Sequence, residues 1–175
     1  MKIINTSQFP VLKTKRTILR QLINDDAQAI SDLRNDESVN MYIDRPKVCS
    51  IDIALDFISR RNDDFKNKNW LYWAICLKDN PKLIGTFGLW NFTDDMTAEV
   101  GYELSLDYQG QGLMNEVIEN IIKFSFKTLS LKKLEADVRK DNERSINLLI
   151  KNKFTYSGQT DTNNPNYHIY SISNK

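Results

Sequence analysis

The stretch that most restricts how this chain can fold is residues 99–116, EVGYELSLDYQGQGLMNE. In its first part Ala98, Val100, Tyr102, Leu104 and Leu106 alternate with Glu99, Gly101, Glu103 and Ser105. That period of two marks a strand with one buried face. Gln109-Gly110-Gln111-Gly112 follows, and then Leu113, Met114, Val117, Ile118, Ile121 and Ile122 recur at helical spacing. A strand, a glycine turn and an amphipathic helix thus succeed one another without a spacer. Such a turn aims the helix's first backbone N–H groups, and the positive end of its dipole, beyond the strand tip. A phosphate group is the natural occupant there. Two phosphate-binding patterns fit poorly: a P-loop would need Lys and Ser or Thr where Leu113-Met114 stands, and the dinucleotide fingerprint wants a third glycine in place of Asn115. A glycine helix start without a ligand is the plain alternative.

The rest of the chain supplies the setting. Residues 16–22 read as a strand, and Asn24-Asp25-Asp26 opens a helix carrying Ala27, Ile30 and Leu33. Residues 35–49 are irregular. Ser50 then caps a second helix with Ile51, Ala54, Leu55, Ile58 and Phe65, whose polar end RRNDDFKNKN reads as a solvated face and loop. Residues 70–77 are apolar on both alternating faces, as in a strand covered on both sides. Asn80-Pro81 marks a turn, residues 82–90 the next strand, and residues 91–96 a polar hairpin. After the long helix ends near Leu129, residues 133–139 alternate again. Residues 142–153 form a last helix with Ile146, Leu149 and Ile150 inward, and two final strands, 154–159 and 167–173, flank a loop holding Pro165. The first ten residues carry no clear period and are expected to be loosely held. Hairpins ahead of Gln109 argue against a Rossmann domain, which begins with a βαβ unit. The expectation is one domain over residues 1–175 of α/β class, with a mixed, mostly antiparallel sheet and helices on both faces. Residues 97–139 provide its parallel crossover.

A chain of 175 residues can bury a sizeable core, and its 41% hydrophobic and 27% charged residues are those of an ordinary soluble protein. A net charge of +1 leaves no broad footprint for nucleic acid or a membrane surface. Cys49 and Cys76 are far apart and in no metal spacing, which suits a reducing compartment. With no signal-like apolar core near Met1 and no run long enough to span a bilayer, a cytoplasmic location is expected.

The loop and its frame resemble the GNAT acetyltransferases, whose pyrophosphate loop reads Gln/Arg-x-x-Gly-x-Gly/Ala. Gln109, Gly112 and Met114 stand at those places, with Met114 departing from the usual small residue. The frame AEVGYELSLDYQGQGLMNEVI followed by DNERSINLL is similar to the branch that includes ribosomal-protein N-alpha-acetyltransferases, from residue 15 to about residue 158. The resemblance implies acetyl-CoA as co-substrate, held by Gln109, Gly110, Gln111, Gly112, Leu113 and Met114, with no metal. It also implies a splay between the two parallel strands for the pantetheine arm, whose amides the Leu104-Ser105-Leu106 segment would bond. The Asn-x-x-Ser pattern of that branch is matched by Asn142 and Ser145, which assigns Asn142 to cofactor contact and Ser145 to the thioester sulfur. Many relatives carry a tyrosine eight positions beyond that asparagine, and Ile150 stands there. A base has also been assigned beyond the last helix in related enzymes, where Asp161 is the only carboxylate after Glu143.

Acetyl transfer to an amine needs a proton acceptor for the ammonium, donors for the developing oxyanion and help for the leaving thiolate. Glu99 and Glu103, on the polar side of the central strand, are the candidate bases. Backbone N–H groups near Leu104 to Leu106 serve the oxyanion if a bulge interrupts that strand. Asn142 also reads as a helix cap and Ser145 as a first-turn residue. Tyr42, Trp90 and Phe92, at loops or strand ends, are candidates for an acceptor wall, whereas Trp70, Trp73 and Phe87 read as core. His168, the one histidine, reads as structural. The expected activity is transfer of acetyl to a primary amine by direct attack in a ternary complex. A protein N-terminal alpha-amine is the first choice of acceptor, and the enzyme is expected as a monomer or homodimer. The alternatives are a small amine such as a polyamine or aminoglycoside, or a module that binds a CoA ester or nucleotide without turnover. A strongly cationic acceptor calls for an acidic cluster, and in sequence only Asp63-Asp64 and Asp94-Asp95 offer one.

Overall fold

A computed structural model describes residues 4, 7–46, 48–161 and 164–174. Its strands are β1 (Leu12–Lys13), β2 (Thr17–Gln21), β3 (Leu71–Leu77), β4 (Asn80–Trp90), β5 (Thr97–Leu104), β6 (Lys133–Arg139), β7 (Thr155–Thr160) and β8 (Tyr167–Ser173). They form one sheet in the order β1-β2-β3-β4-β5-β6-β8-β7. Neighbours run antiparallel except β5 and β6, which are the parallel pair. The helices are α1 (Ala27–Asn35), α2 (Glu37–Asn40), α3 (Ile51–Lys66), α4 (Leu113–Lys127) and α5 (Glu143–Lys151). The architecture is the α/β one that the sequence pattern implies, and no described helix is long and apolar enough to cross a membrane.

Each face of the sheet has its own core. On one face Leu113, Met114, Val117, Ile118 and Ile121 of α4 and Leu149 of α5 are buried with Trp73, Phe87, Val100 and Leu134. On the other, Leu22 and Ile30 and Leu33 of α1 pack with Ala54 and Ile58 of α3 over Ala74, Cys76 and Leu83. Burial on both faces explains why β3 reads as a continuous apolar run. Side-chain oxygens start three of the helices. Asp36 accepts from the N–H groups of Ser38 and Val39, Ser50 from Ile53, and Asn142 from Ser145. Helix α4 has no such cap and begins on Gly112.

Some local expectations are revised. Helix α3 runs through the charged stretch to Lys66, because Asp56–Arg60, Arg61–Asp64 and Asp63–Lys66 pair along its surface while Phe65 is buried. The β3–β4 turn falls at Lys78-Asp79, with Leu77 opposite Asn80. Pro81 then lies inside β4 but before its pairing with β5, which starts at Gly85. Ile150 points outward, 55% exposed. Part of the first ten residues lies outside the described set. Within it, Ile4 is buried, and the Phe9 ring meets Phe65 and Trp73 edge to face at 5.0 and 5.8 Å.

Candidate active site

Strands β5 and β6 pair only at Thr97–Lys133, Ala98–Leu134 and Glu99–Glu135. Beyond Glu99, β5 continues on β4 and β6 continues on β8, so the sheet parts between them. Three structures converge on this gap: the glycine turn, the first turn of α5, and a cleft on the α1–α3 face.

The glycine turn is set for an anion. Gly110 and Gly112 take left-handed φ values of 72° and 76°, where a side chain is strained. Gly112 is the N-cap of α4, and no side chain caps the first turn. Its backbone N–H groups are therefore available, as the first donors of any helix are. Around the turn, the Gln109 amide donates to the Leu104 carbonyl at 2.7 Å and accepts from Arg144 at 3.0 Å. Arg16 donates to the Gln111 carbonyl at 2.8 Å while its Nε pairs with Glu116 at 2.7 Å. A glycine cradle, an uncapped helix start and flanking guanidinium groups fit a pyrophosphate. Leu113 and Met114 turn their side chains into the core, so the bulk at Met114 does not fill the turn. The Ser105 N–H bonds the Ile84 carbonyl at 2.9 Å, continuing the sheet, and Leu106 is 41% exposed.

At the first turn of α5, the Asn142 Oδ1 accepts from the Ser145 N–H at 3.1 Å. The hydroxyls of Ser145 and Tyr102 lie 2.8 Å apart, so a contact crosses from β5, past its last pairing with β6, to α5. Burial pushes the Tyr102 phenol up to about 12.

On the opposite face an open cleft of about 650 Å³ is lined by Asn91, Glu99, Glu135, Asp137, Gln159, Thr160, Asp161 and Ile169. Four carboxylates from three parts of the sequence therefore face one space. The Glu99 Oε1 accepts from the Asn91 amide at 2.8 Å, and Glu135 pairs with Lys133 at 2.8 Å. Among the described residues neither Glu99 nor Asp137 has an ion-pair partner. Desolvation by the cleft walls, and then repulsion from Glu99, Asp161 and Glu135, pushes the Asp137 carboxyl up to about 6.

The two candidate bases are treated very differently. Glu103 is buried, its Oε2 2.7 Å from Arg45 Nη1 and its Oε1 accepting from Thr86 at 3.0 Å. It anchors the segment before α3 to the sheet. That segment's other end is held by β6 and β8: Arg139 donates to the Met41 carbonyl at 3.3 Å, and the Tyr167 hydroxyl donates to Tyr42 O and to Asp44. Residues 41–45 therefore bridge the parted strands on the cleft side, with the Tyr42 ring 5.6 Å from the Arg139 guanidinium; Lys47 lies outside the described residues.

Trp90 lies against Gly101, between Glu99 and Glu103 on the same face; a Cβ at Gly101 would sit 2.5 Å from its ring. Trp70 is not core: it stacks on Trp90 at 4.9 Å, with the Arg61 guanidinium over it at 4.1 Å. Phe92 is not among the residues lining the cleft; it packs, half-buried, against the core on the α4 side of the sheet. His168 lies on β8 opposite Val138, its ring tilted against Tyr156 with centroids 4.5 Å apart. Sequence reasoning missed Glu135 and Asp137, whose alternation in KLEADVR placed them on one face without saying which neighbours they would meet. It also missed Tyr102, which reads there as a core residue of the central strand.

Residues 16–155 match the model of the acetyltransferase (GNAT) domain family. The chain is 34% identical over 151 residues to the uncharacterized N-acetyltransferase YoaA of Bacillus subtilis, covering 86% of this chain and 85% of that protein. Among solved structures it superposes on RimL, a ribosomal-protein alpha-N acetyltransferase in complex with coenzyme A, with a TM-score of 0.83 at 16% identity, covering 94% and 98% of the two chains. It also superposes on the microcin self-immunity acetyltransferase MccE in complex with acetyl-CoA and AMP, with a TM-score of 0.79 at 21% identity, covering 91% and 93%.

Proposed function

The chain belongs to the GNAT acetyltransferase family, and on that premise we propose that it acetylates a primary amine of a cationic acceptor by direct attack in a ternary complex. The observation that carries this reading is the parting of β5 from β6, with an anion-binding turn on one side and a carboxylate cleft on the other. Acetyl-CoA supplies an activated thioester. The turn from Gln109 to Gly112 and the first N–H groups of α4 hold its pyrophosphate, and Asn142 with the Leu104 and Leu106 backbone steadies the arm. Strand β5 runs on without a bulge and the Ser105 N–H is already bonded to Ile84, so that group is not a donor to the developing oxyanion.

The acceptor amine arrives protonated and must lose a proton before it can attack. Glu99 and Asp137 share that task. Glu99 is oriented by Asn91 and attracts the ammonium. Asp137, held near 6, is matched to proton transfer close to neutrality. Glu103, committed to Arg45 and Thr86, holds the bridging segment instead. Trp90 and Tyr42 border the path of the acceptor. Ser145 assists the departing sulfur.

The carboxylates favour an acceptor with a second positive charge, such as a polyamine or aminoglycoside. The fold likeness to RimL supports the other reading, a protein N-terminal alpha-amine. A panel of spermidine, an aminoglycoside, and N-terminal peptides with and without lysines separates them by thiol release from acetyl-CoA. We expect turnover with the polycations and lysine-bearing peptides. Turnover with acidic N-terminal peptides alone would transfer the assignment to a protein alpha-amine, and acetyl-CoA binding without turnover on any amine would make the chain a binding module.

A further inference from the structure

We infer that Tyr102 is a positioning residue for the leaving-group step, holding the Ser145 hydroxyl so that its proton points into the gap between β5 and β6. This rests on the reading that the thioester lies in that gap. Four observations carry it.

Tyr102 belongs to the part of β5 that no longer pairs with β6, and its phenol spans the opening to α5. The Ser145 backbone is fixed independently by the Asn142 cap, which leaves its side chain, χ1 and the hydroxyl rotor, as the part that the Tyr102 contact orients. The tyrosine ring is fixed too, stacked on Phe87 at 5.8 Å. Finally, with Ile150 exposed and unable to donate, α5 brings no phenol of its own to this place. The hydroxyl that β5 supplies comes from the other side of the gap.

Two hydroxyls 2.8 Å apart share one hydrogen bond, and either can donate. When negative charge collects on sulfur, the favourable arrangement has Tyr102 donating to Ser145 and Ser145 donating to sulfur. Chained donors polarise one another, so the outer bond strengthens the inner one. No proton leaves the tyrosine, because a phenol pushed up to about 12 is far weaker than a thiol near ~8.5. The step balances without one. The amine's lone pair forms the C–N bond and the C–S pair leaves on sulfur. One ammonium proton goes to the carboxylate pair before attack, the nitrogen sheds its second proton to solvent water as the amide forms, and the thiolate takes up a proton from solvent.

The test reads the thiol of bound CoA, without acceptor or turnover. Thiolate ultraviolet absorbance is titrated in complexes of CoA with the wild-type protein, Tyr102→Phe, Ser145→Ala and the double variant. Phe keeps the ring stack, so folding and CoA affinity should be retained. We expect the bound thiol to titrate ~1 pH unit below free CoA in the wild type, with part of that shift lost in Tyr102→Phe and more in Ser145→Ala. The double variant should match Ser145→Ala. In turnover, Tyr102→Phe should lower kcat by ~5-fold with the acetyl-CoA KM unchanged, and should have no effect in the Ser145→Ala background. Equal thiol titration in wild type and Tyr102→Phe, or an equal loss in both backgrounds, would overturn the inference while leaving acetyl-CoA binding intact. Failure of the wild type to bind CoA would overturn both it and the cofactor assignment.

Discussion

The turn from Gln109 to Gly112 and the cleft around Glu99 face the same gap, but they are made of different material. The turn is consecutive residues, and what it offers is backbone N–H groups presented by left-handed glycines. The cleft draws its carboxylates from β5, β6 and the segment after β7, and what it offers is side-chain charge. A substitution in the turn acts through backbone conformation, and a substitution in the cleft acts through protonation. Binding of acetyl-CoA should depend on the first region and proton handling on the second, each nearly independent of the other.

The sharpest way to break that division is through the carboxylates. Glu99→Gln and Asp137→Asn should each lower kcat, by up to the ~10²–10⁴ typical of a lost acid–base group, while acetyl-CoA affinity is unchanged. The wild-type rate should rise with pH through about 6 as Asp137 loses its proton, and that limb should vanish in Asp137→Asn. Stability runs the other way. A carboxyl whose folded pKa lies above its ordinary value binds more protons folded than unfolded, so stability falls as pH rises toward 6. Asp137→Asn should therefore melt higher than wild type at about pH 8, with the gap closing near pH 4. An unchanged pH–rate profile in both variants would put proton transfer elsewhere.

Next in size is Gly112→Val, which should weaken acetyl-CoA binding by ~100-fold, the loss of a few charge-assisted hydrogen bonds. Gly158→Val is its control, since Gly158 has a similar φ of 80° on an exposed strand with nothing within 4 Å of an added Cβ. Both should lose comparable stability, and only Gly112→Val should lose affinity by calorimetry. Equal affinities in the two folded variants would remove the turn from the binding site.

These two regions also differ in how far they could be read before the fold was known. The strand, glycine turn and helix were legible because each rests on local backbone rules, and the parallel pairing of β5 with β6 followed from their order. The cleft was not. Glu135 and Asp137 sat correctly on one strand face, but the sequence cannot say that Glu99 lies beside Glu135 or that Asp161 returns to join them. Glu103 shows the same limit from the other direction. It shares a face with Glu99, and only the arrival of Arg45 from a distant loop separates their roles. Phe92 and Trp70 exchanged places for a similar reason, since which aromatic reaches the core depends on turn geometry rather than on composition.

Smaller effects sharpen the boundary of the acceptor side. Trp90→Ala should raise the acceptor KM by ~10-fold with little change in that for acetyl-CoA, the scale of a lost cation–aromatic contact. Phe92→Ala should instead lower Tm without separating the two KM values, as a residue packed against the core on the α4 side of the sheet. The smallest effect is expected from Cys49→Ala with Cys76→Ala. Both thiols are buried, and turnover should stay within about 2-fold of wild type with no acetyl-enzyme in intact-mass spectra.

The central claim is that the turn and the cleft serve one transfer, with both substrates present together. Initial rates of thiol release, with acetyl-CoA and a polyamine varied against each other, test it most directly. Intersecting double-reciprocal lines, with one acetyl group on the amine for each thiol released, are the predicted result. Parallel lines, or thiol release that continues without acetylated amine, would contradict it.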